Sequence, residues 1–96
     1  MAAFTVQHEE SETKGRFFIA NHAGFTVAES TYSKAGTDRI IIDHTEVNDS
    51  LRNQGAGLAL IEQAVAYAHE HRLKILPLCP FANATFKKHP DWSDVL

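Results

Sequence analysis

The stretch from Asp43 to Ala68, DHTEVNDSLRNQGAGLALIEQAVAYA, decides the fold of this chain. It leads from an apolar, β-branched strand through a polar turn into a helix whose start carries Gly55 and Gly57. The first N–H groups of a helix have no intrahelical partner, and the helix dipole makes that end positive. Because glycine adds no side chain, an anion can approach those donors closely. The stretch predicts a phosphate site, with a purely structural tight turn as the alternative.

Four apolar segments come before or at the start of this stretch, and the polar turns between them end at Gly15, Gly24 and Gly36. Apolar and polar residues alternate in the first and third segments, which is typical of strands with one buried face. The predicted strands are Phe4–His8, Arg16–Ala20, Phe25–Tyr32 and Arg39–Val47. Turns at this spacing predict an antiparallel meander.

The pattern after the glycine turn is helical and then alternates between strand and helix. From Leu58 the apolar residues follow a spacing of three and four, and the helix should end near His71. A fifth strand is predicted at Leu73–Leu78, parallel to the fourth because a helix connects them. Pro80 suits the first turn of a second helix, Phe81–Lys88. The order β-β-β-β-α-β-α predicts an α+β fold whose mixed sheet becomes parallel at strands four and five.

The overall composition favours one globular domain spanning residues 1–96, with 44% hydrophobic residues and no stretch apolar enough to cross a membrane. The formal charge of −3 argues against a nucleic-acid partner, which would select a basic face. The start, MAAFTVQHEE, lacks the regions of a signal peptide, and one cysteine cannot form an internal disulfide. We therefore expect a cytoplasmic protein, either a monomer or a homodimer.

The glycine turn, Arg52-Asn53-Gln54-Gly55-Ala56-Gly57, fits neither a Walker loop nor the dinucleotide-binding fingerprint. It resembles the Arg/Gln-x-x-Gly-x-Gly/Ala loop of the GNAT superfamily of N-acetyltransferases. The strings His44-Thr45-Glu46-Val47, Leu78-Cys79-Pro80-Phe81 and His89-Pro90 are similar to the minimal subfamily of small acetyltransferase-like proteins. The resemblance covers Ile42–Pro90, and the earlier strands follow the superfamily only in pattern.

The resemblance implies that the chain uses acetyl-CoA, or another acyl-CoA, to acylate a primary amine by direct attack on the thioester. The backbone of Glu46 and Val47 would bind the pantetheine arm between splayed strands four and five. Asn83 could hydrogen-bond that arm, and Lys87 or Lys88 could meet a phosphate or simply be a solvated helix end. The remaining implied cofactor contacts are Arg52, Asn53, Gln54, Gly55, Ala56, Gly57, Leu58 and Cys79.

His44 and Glu46 are the candidate bases for removing the proton of the amine. They are two residues apart on the fourth strand, so a regular strand directs both to one face. There they could share a water and act as a general base, or they could simply be polar residues on a solvated face. A bulge, which is usual on this strand in the superfamily, would re-aim one of them.

Cys79 ends the fifth strand and immediately precedes a helix N-terminus, a position that can make a thiol reactive. It could be the proton donor to the leaving thiolate, a covalent acetyl acceptor or a packing residue. The resemblance also places Phe86 where the superfamily has a tyrosine, so the usual hydroxyl donor is missing. Either Cys79 or water replaces that donor, or catalysis is poor.

Larger superfamily members place two helices between their first two strands, and those helices help form the acceptor site. Here only Glu9–Gly15 is available, which leaves the acceptor unknown. The alternative function is therefore a non-catalytic module that binds or senses acetyl-CoA or CoA, and a small interaction domain is a third hypothesis. His69 and His71 lack the spacing of metal ligands, and we predict no metal.

Overall fold

A computed structural model describes residues 4–96. The strands are β1 (Gln7–Glu10), β2 (Lys14–Ala20), β3 (Thr26–Ala35), β4 (Arg39–Val47) and β5 (Lys74–Pro77), and the helices are α1 (Ala56–His71) and α2 (Pro80–Lys87). Short 3₁₀ turns follow β4 at Asp49–Leu51 and α2 at Pro90–Val95. This order confirms the predicted β-β-β-β-α-β-α arrangement. None of the helices in the described part of the chain is long and apolar enough to span a membrane.

The five strands form one sheet in chain order, antiparallel from β1 to β4 and parallel between β4 and β5. β5 pairs only with the first part of β4, ending at the pair Ile42 and Pro77. Beyond Ile42, β4 continues to Val47, and on the edge that β5 occupies earlier no strand of the described residues pairs with this part. The predicted mixed α+β sheet with splayed strands four and five is therefore confirmed.

One face of the sheet carries α1, and the core lies between them. Alanines on α1 let the helix lie close to the strands, and each large aliphatic side chain buried there contributes about 1.5–3 kcal/mol. The helix contributes Ala56, Leu60, Ile61, Ala64, Val65 and Ala68, and the sheet contributes Phe17, Ile19, Ala28, Tyr32, Ile40, Ile42 and Ile75. Helix α2 and the last turn add Ala82, Phe86 and Val95.

Three successive residues of β2, Phe17, Phe18 and Ile19, are buried, so the strand is covered on both faces. Phe17 and Ile19 join the core under α1. Phe18 lies on the opposite face, where the guanidinium carbon of Arg16 stands 3.9 Å from the centre of its ring. A cation thus covers an aromatic residue that no helix reaches.

Several predicted boundaries are wrong for identifiable reasons. The first strand is Gln7–Glu10 and not Phe4–His8, because the ring of His8 takes the position facing the core and stacks on Phe17 at 4.3 Å. β3 continues to Ala35, because Ser33 and Lys34 still pair with β4. These shifts follow from cross-strand contacts that alternation along the chain does not contain.

The first helix begins at Ala56, and Gly55 caps it in a left-handed conformation, so its start carries the two glycines as predicted. Leu58 is consequently half-buried beside the start of the helix and is not part of the core stripe.

Gly15 does not end a turn, as its position predicted, but lies inside β2 and pairs with Tyr32 of β3. A Cβ atom there would stand 2.3 Å from Cζ of Tyr32, so the tyrosine ring occupies the space above the glycine. Gly24 and Gly36 do occupy turns, with φ of +86° and +72°. Gly15 is therefore needed for close packing, whereas the other two are needed for backbone conformation.

His8 joins the edge strand β1 to the core. Its Nε2 atom lies 2.7 Å from the hydroxyl oxygen of Tyr32, and Tyr67 of α1 packs edge-on against its ring. Burial lowers the pKa of His8, with Lys34 and His71 acting in the same direction and the Glu10 carboxylate opposing them. The neutral imidazole is thus the form that the folded protein prefers.

We expect the free energy of unfolding to fall as the pH drops below 6.5, the ordinary pKa of the His8 side chain. Because the folded pKa is lower than the unfolded one, the unfolded chain takes up a proton first and is favoured by acid. Glu10, whose pKa a hydrogen bond from Lys34 lowers, acts in a separate window below 4.5. Urea unfolding at several pH values measures the effect.

His8→Gln should flatten the pH dependence above pH 4.5, and His22→Gln, on an exposed turn, should leave it unchanged. A stability profile of the His8→Gln protein that parallels the wild type would show that His8 is not the responsible group.

Candidate functional site

The candidate site begins at a bulge in β4. Thr31 pairs with His44 and Tyr32 pairs with Ile42, so Asp43 is the extra residue on β4. The hydroxyl of Thr31 donates to Asp43 at 2.6 Å, which holds the bulge closed. The extra residue shifts the alternation of β4, as bulges do. Beyond it, Thr45 faces the helices.

The backbone after β4 is shaped for a tight change of direction. The side chain of Asn48 accepts a hydrogen bond from the N–H of Ser50 at 2.9 Å and starts the first 3₁₀ turn. Asn53 and Gly55 then adopt positive φ of 62° and 83°. Glycine takes this conformation at no steric cost. The chain therefore passes from β4 into α1 through these left-handed residues.

The start of α1 presents free hydrogen-bond donors. Among residues 4–96, no backbone or side-chain group accepts from the N–H groups of Gly55, Ala56, Gly57 or Leu58. The first N–H group of the helix that has an acceptor is that of Ala59, which donates to the carbonyl of Gly55 at 2.9 Å. Such a set of amides at the positive end of a helix is suited to an anion.

These amides open into a cleft of about 550 Å³ between the end of β4, the loop and α2. The sequence-predicted residues in its lining are Val47, Arg52, Asn53, Gly55, Ala56, Gly57 and Leu58. Thr45, Leu51, Phe81, Thr85, Lys88 and His89 complete the wall. Arg52 and Lys88 are the basic residues of this wall, and the guanidinium of Arg52 is paired with Asp49 at 3.0 Å. The described residues therefore bring most of the predicted contacts together.

The free edge of β4 runs along the same cleft. The N–H of Asn48 donates to the carbonyl of Val27 on β3 at 2.8 Å. Since successive backbone groups of a strand point to opposite sides, those of Val47 point away from β3. β5 has already ended there, so an extended polar arm has backbone groups to bind.

The remaining predicted cofactor contacts do not line the cleft. Gln54 donates through its side-chain amide to the carbonyl of Ser50 at 2.9 Å. Asn83 lies on the exposed surface of α2, and Cys79 is buried. The helical phase of α2 explains the difference, because it turns Phe81, Thr85 and Lys88 toward the cleft.

Phe81 packs directly on the first turn of α1. A Cβ atom at Gly57 would stand 2.5 Å from Cζ of the phenyl ring, so Gly57 accommodates this contact. The ring is 42% exposed and can move. Gly57 thus has a packing role as well as a place in the lining of the cleft.

Cys79 is the N-cap of α2, and its side chain is 5% exposed. Its Sγ atom accepts from the N–H of Ala82 at 3.3 Å and lies 3.3 Å from the hydroxyl oxygen of Thr45. Thr45 in turn lies 3.1 Å from the hydroxyl oxygen of Ser30. Thr45 therefore stands between the buried thiol and the cleft.

His44 and Glu46 point to the opposite face of the sheet, where Nε2 of His44 lies 3.3 Å from Oε2 of Glu46. Both side chains are exposed, and Glu46 borders a smaller depression of about 230 Å³ that also contains Glu29. The structure brings the two candidate bases together, away from Cys79. Phe86 is buried against Trp92, with ring centres 5.7 Å apart.

Sequence reasoning assigned no role to Thr45, Phe81, Thr85 or His89, although three of them lie in quoted strings. His89 stacks on Trp92 with ring centres 4.1 Å apart. The proline after His89 is the sequence feature that could have indicated this position, because a residue before proline leaves helical geometry and here lies at the end of α2 beside the cleft. In the described part of the chain, no three His, Cys, Asp or Glu side chains are placed to hold a metal ion.

Residues 16–95 match the sequence family GCN5-related N-acetyl-transferase, and the chain belongs to this family. A solved structure of a GCN5-like N-acetyltransferase candidate from Staphylococcus aureus is 35% identical, with a TM-score of 0.73. The match covers 99% of this chain and 89% of that one. A search of curated proteins finds no match.

Two larger enzymes share the fold at lower identity. Ribosomal-protein-alanine N-acetyltransferase from Brucella melitensis is 18% identical with a TM-score of 0.64, covering 82% of this chain and 62% of that one. AAC(6')-Iy, solved with the bisubstrate analog CoA-S-monomethyl-acetylneamine, is 13% identical with a TM-score of 0.56. That match covers 86% of this chain and 63% of the enzyme.

Proposed function

We propose that this protein transfers an acetyl group from acetyl-CoA to a primary amine by direct attack of the amine on the thioester. The observation that supports this most is the row of free amides at the start of α1, which opens into a cleft beside the free edge of β4. The family membership and the bisubstrate complex of a structural relative point to the same co-substrate.

The cleft fits the parts of acetyl-CoA in order. The pyrophosphate would bind the amides from Gly55 to Leu58, where the helix end supplies roughly half a positive charge. Lys88 adds a positive charge at the rim, and Arg52 adds a guanidinium that is paired with Asp49 at 3.0 Å. The pantetheine arm would lie against Val47 as a short pseudo-strand. A volume of about 550 Å³ falls within the range of ligand sites, about 300–1,000 Å³.

The gap between β4 and β5 also explains how an amine reaches the thioester. Because β5 ends opposite Ile42, the sheet is open where the acetyl group would lie. The acceptor can then enter from the face that carries His44 and Glu46. One of these groups, directly or through water, would remove the proton of the attacking amine.

A second candidate function is a module that binds acetyl-CoA without turnover. It is supported by the absence of a hydroxyl at Phe86 and by the connection between β1 and β2, which is only residues 11–13 long. Such a connection provides no wall for an acceptor. Calorimetric titration with acetyl-CoA tests what both functions share, and no binding at millimolar ligand would refute both.

Thiol release with a panel of primary amines then separates the two functions. We expect Glu46→Gln to lower kcat about a hundredfold, at the low end of general-base effects because the side chain is 72% exposed. Binding of acetyl-CoA should be unchanged, since Glu46 does not line the cleft. Glu62→Gln, on the exposed face of α1, is the matched control. Equal kcat in the Glu46 and Glu62 variants would remove Glu46 from the mechanism.

A further inference from the structure

Thr45 is the one member of a buried polar chain that reaches the cleft. Its hydroxyl lies between the hydroxyl of Ser30, which is 2% exposed, and the thiol of Cys79. The cleft wall includes Thr45 but neither of the other two. A group in the cleft can therefore exchange a proton with Ser30 or Cys79 only through the hydroxyl of Thr45.

The hydrogen bonds in this group can both run toward Thr45, since either atom can be the donor in each contact. In the described structure, Thr45 is the only side-chain partner of the Ser30 hydroxyl and the only acceptor near the Cys79 thiol. A hydroxyl oxygen accepts two hydrogen bonds and donates one. When Ser30 and Cys79 both donate to Thr45, its O–H is left without a partner among the described residues and can donate into the cleft.

We propose that the Thr45 hydroxyl delivers the proton to the CoA sulfur when the thioester is cleaved, with the Cys79 thiol as the source. This inference rests on the acetyl transfer proposed above. The role of proton donor, which Phe86 cannot fill because it has no hydroxyl, then belongs to a residue of β4. Cys79 and Ser30 act through Thr45 and are positioning residues in this scheme.

The proposed step transfers one acetyl group and conserves protons and electrons. The amine nitrogen forms a bond to the thioester carbon, and the carbon–sulfur bond breaks with its electron pair on sulfur. Thr45 passes its proton to that sulfur and takes the proton of Cys79 in the same movement. The proton lost by the amine goes to the base on the other face and then to solvent, and Cys79 regains a proton from the cleft through Thr45. The products are an amide and free CoA thiol.

Two physical features favour this route. Donor and acceptor are both thiols, so the proton moves between groups of the same chemical class. Thr45 gains and loses a proton together, and therefore never carries an alkoxide charge. The transient thiolate of Cys79 lies at the N-terminus of α2 and accepts the N–H of Ala82, which stabilises negative charge.

The test compares Thr45→Val, which keeps the β-branched shape, with Thr45→Ser, which keeps the hydroxyl. CoA release is followed with acetyl-CoA and hydroxylamine, a nucleophile that needs no dedicated acceptor site, and with the amine panel. Thr45→Val should lower kcat about a hundredfold, the low end of the range for a proton-transferring side chain. The Kd for acetyl-CoA should stay within about twofold and the solvent isotope effect on kcat should shrink. Thr45→Ser should retain both kcat and the isotope effect.

Other outcomes overturn the proposal in distinguishable ways. Unchanged kcat and isotope effect in Thr45→Val would make Thr45 a packing residue. Acetyl-CoA binding by the wild type without turnover would overturn the relay, whereas no binding at all would overturn the proposed function. If Thr45→Val does not fold because Ser30 loses its partner, Ser30→Ala/Thr45→Val removes both hydroxyls and is measured in its place. Cys79→Ala, expected to reduce kcat and the isotope effect together, identifies the source of the proton.

Discussion

Gly15→Ala should lower the free energy of unfolding by about 3 kcal/mol, the upper part of the range for overpacking a core. The added methyl group would stand 2.3 Å from Cζ and 2.4 Å from the hydroxyl oxygen of Tyr32. Tyr32 is 1% exposed and bonded to His8, so its ring cannot turn aside without breaking other contacts. For a domain of this size the melting temperature should drop by roughly 12–24 °C.

Urea unfolding of Gly15→Ala and Gly24→Ala provides the measurement and its control. Gly24 has a φ of +86° and no atom within 4 Å of an added Cβ, so its variant reports backbone strain alone. That strain costs about 1–2 kcal/mol. Tyr32→Leu should recover part of the loss in the Gly15→Ala background. A smaller loss at Gly15 than at Gly24 would contradict the packing role of Gly15.

Gly55→Val should weaken acetyl-CoA binding about a hundredfold, measured by titration calorimetry. The loss of two charge-assisted hydrogen bonds, about 1.5–3 kcal/mol each before compensation, is enough for this change. Gly55 lines the cleft, and no protein atom lies within 4 Å of an added Cβ. The valine side chain would therefore occupy space next to the free amides without a clash inside the protein.

Backbone strain alone must be separated from this effect, because Gly55 has a φ of +83°. Gly36→Val is the matched control, since Gly36 has a φ of +72° and lies in the turn before β4, away from the cleft. Both variants should lose comparable stability, and only the one at Gly55 should lose affinity. Equal affinities in the two variants would mean that Gly55 serves only the tight turn.

The fold could be predicted from the sequence because its signals are local. The β-branched run at Ile40–Ile42, the glycine turn and the alanine-rich helix lie within one stretch of chain, and each limits what its neighbours can be. The free amides follow from the same stretch, since every helix start has them and glycine leaves them open.

The parts that could not be predicted depend on contacts between distant strands. Gly15 reads as a turn glycine until Tyr32 is placed opposite it. The bulge at Asp43 decides that Thr45 faces the cleft, and its position depends on how β3 pairs with β4. Alternation drew attention to His44 and Glu46, the polar residues on the same strand. The polar chain that connects Thr45 to Cys79 spans 34 positions and has no local signal.

The free edge of β4 bears on whether two copies of this protein can pair edge to edge. An unpaired strand edge can recruit a second chain and start aggregation. Here the open segment after Ile42 is short, and it carries Asp43 and Glu46 with exposed carboxylates. Two such edges would bring like charges together, whereas a single extended arm without acidic groups can lie there freely. The carboxylates of Asp43 and Glu46 therefore oppose edge-to-edge pairing of two copies, and they leave the backbone groups of the edge accessible.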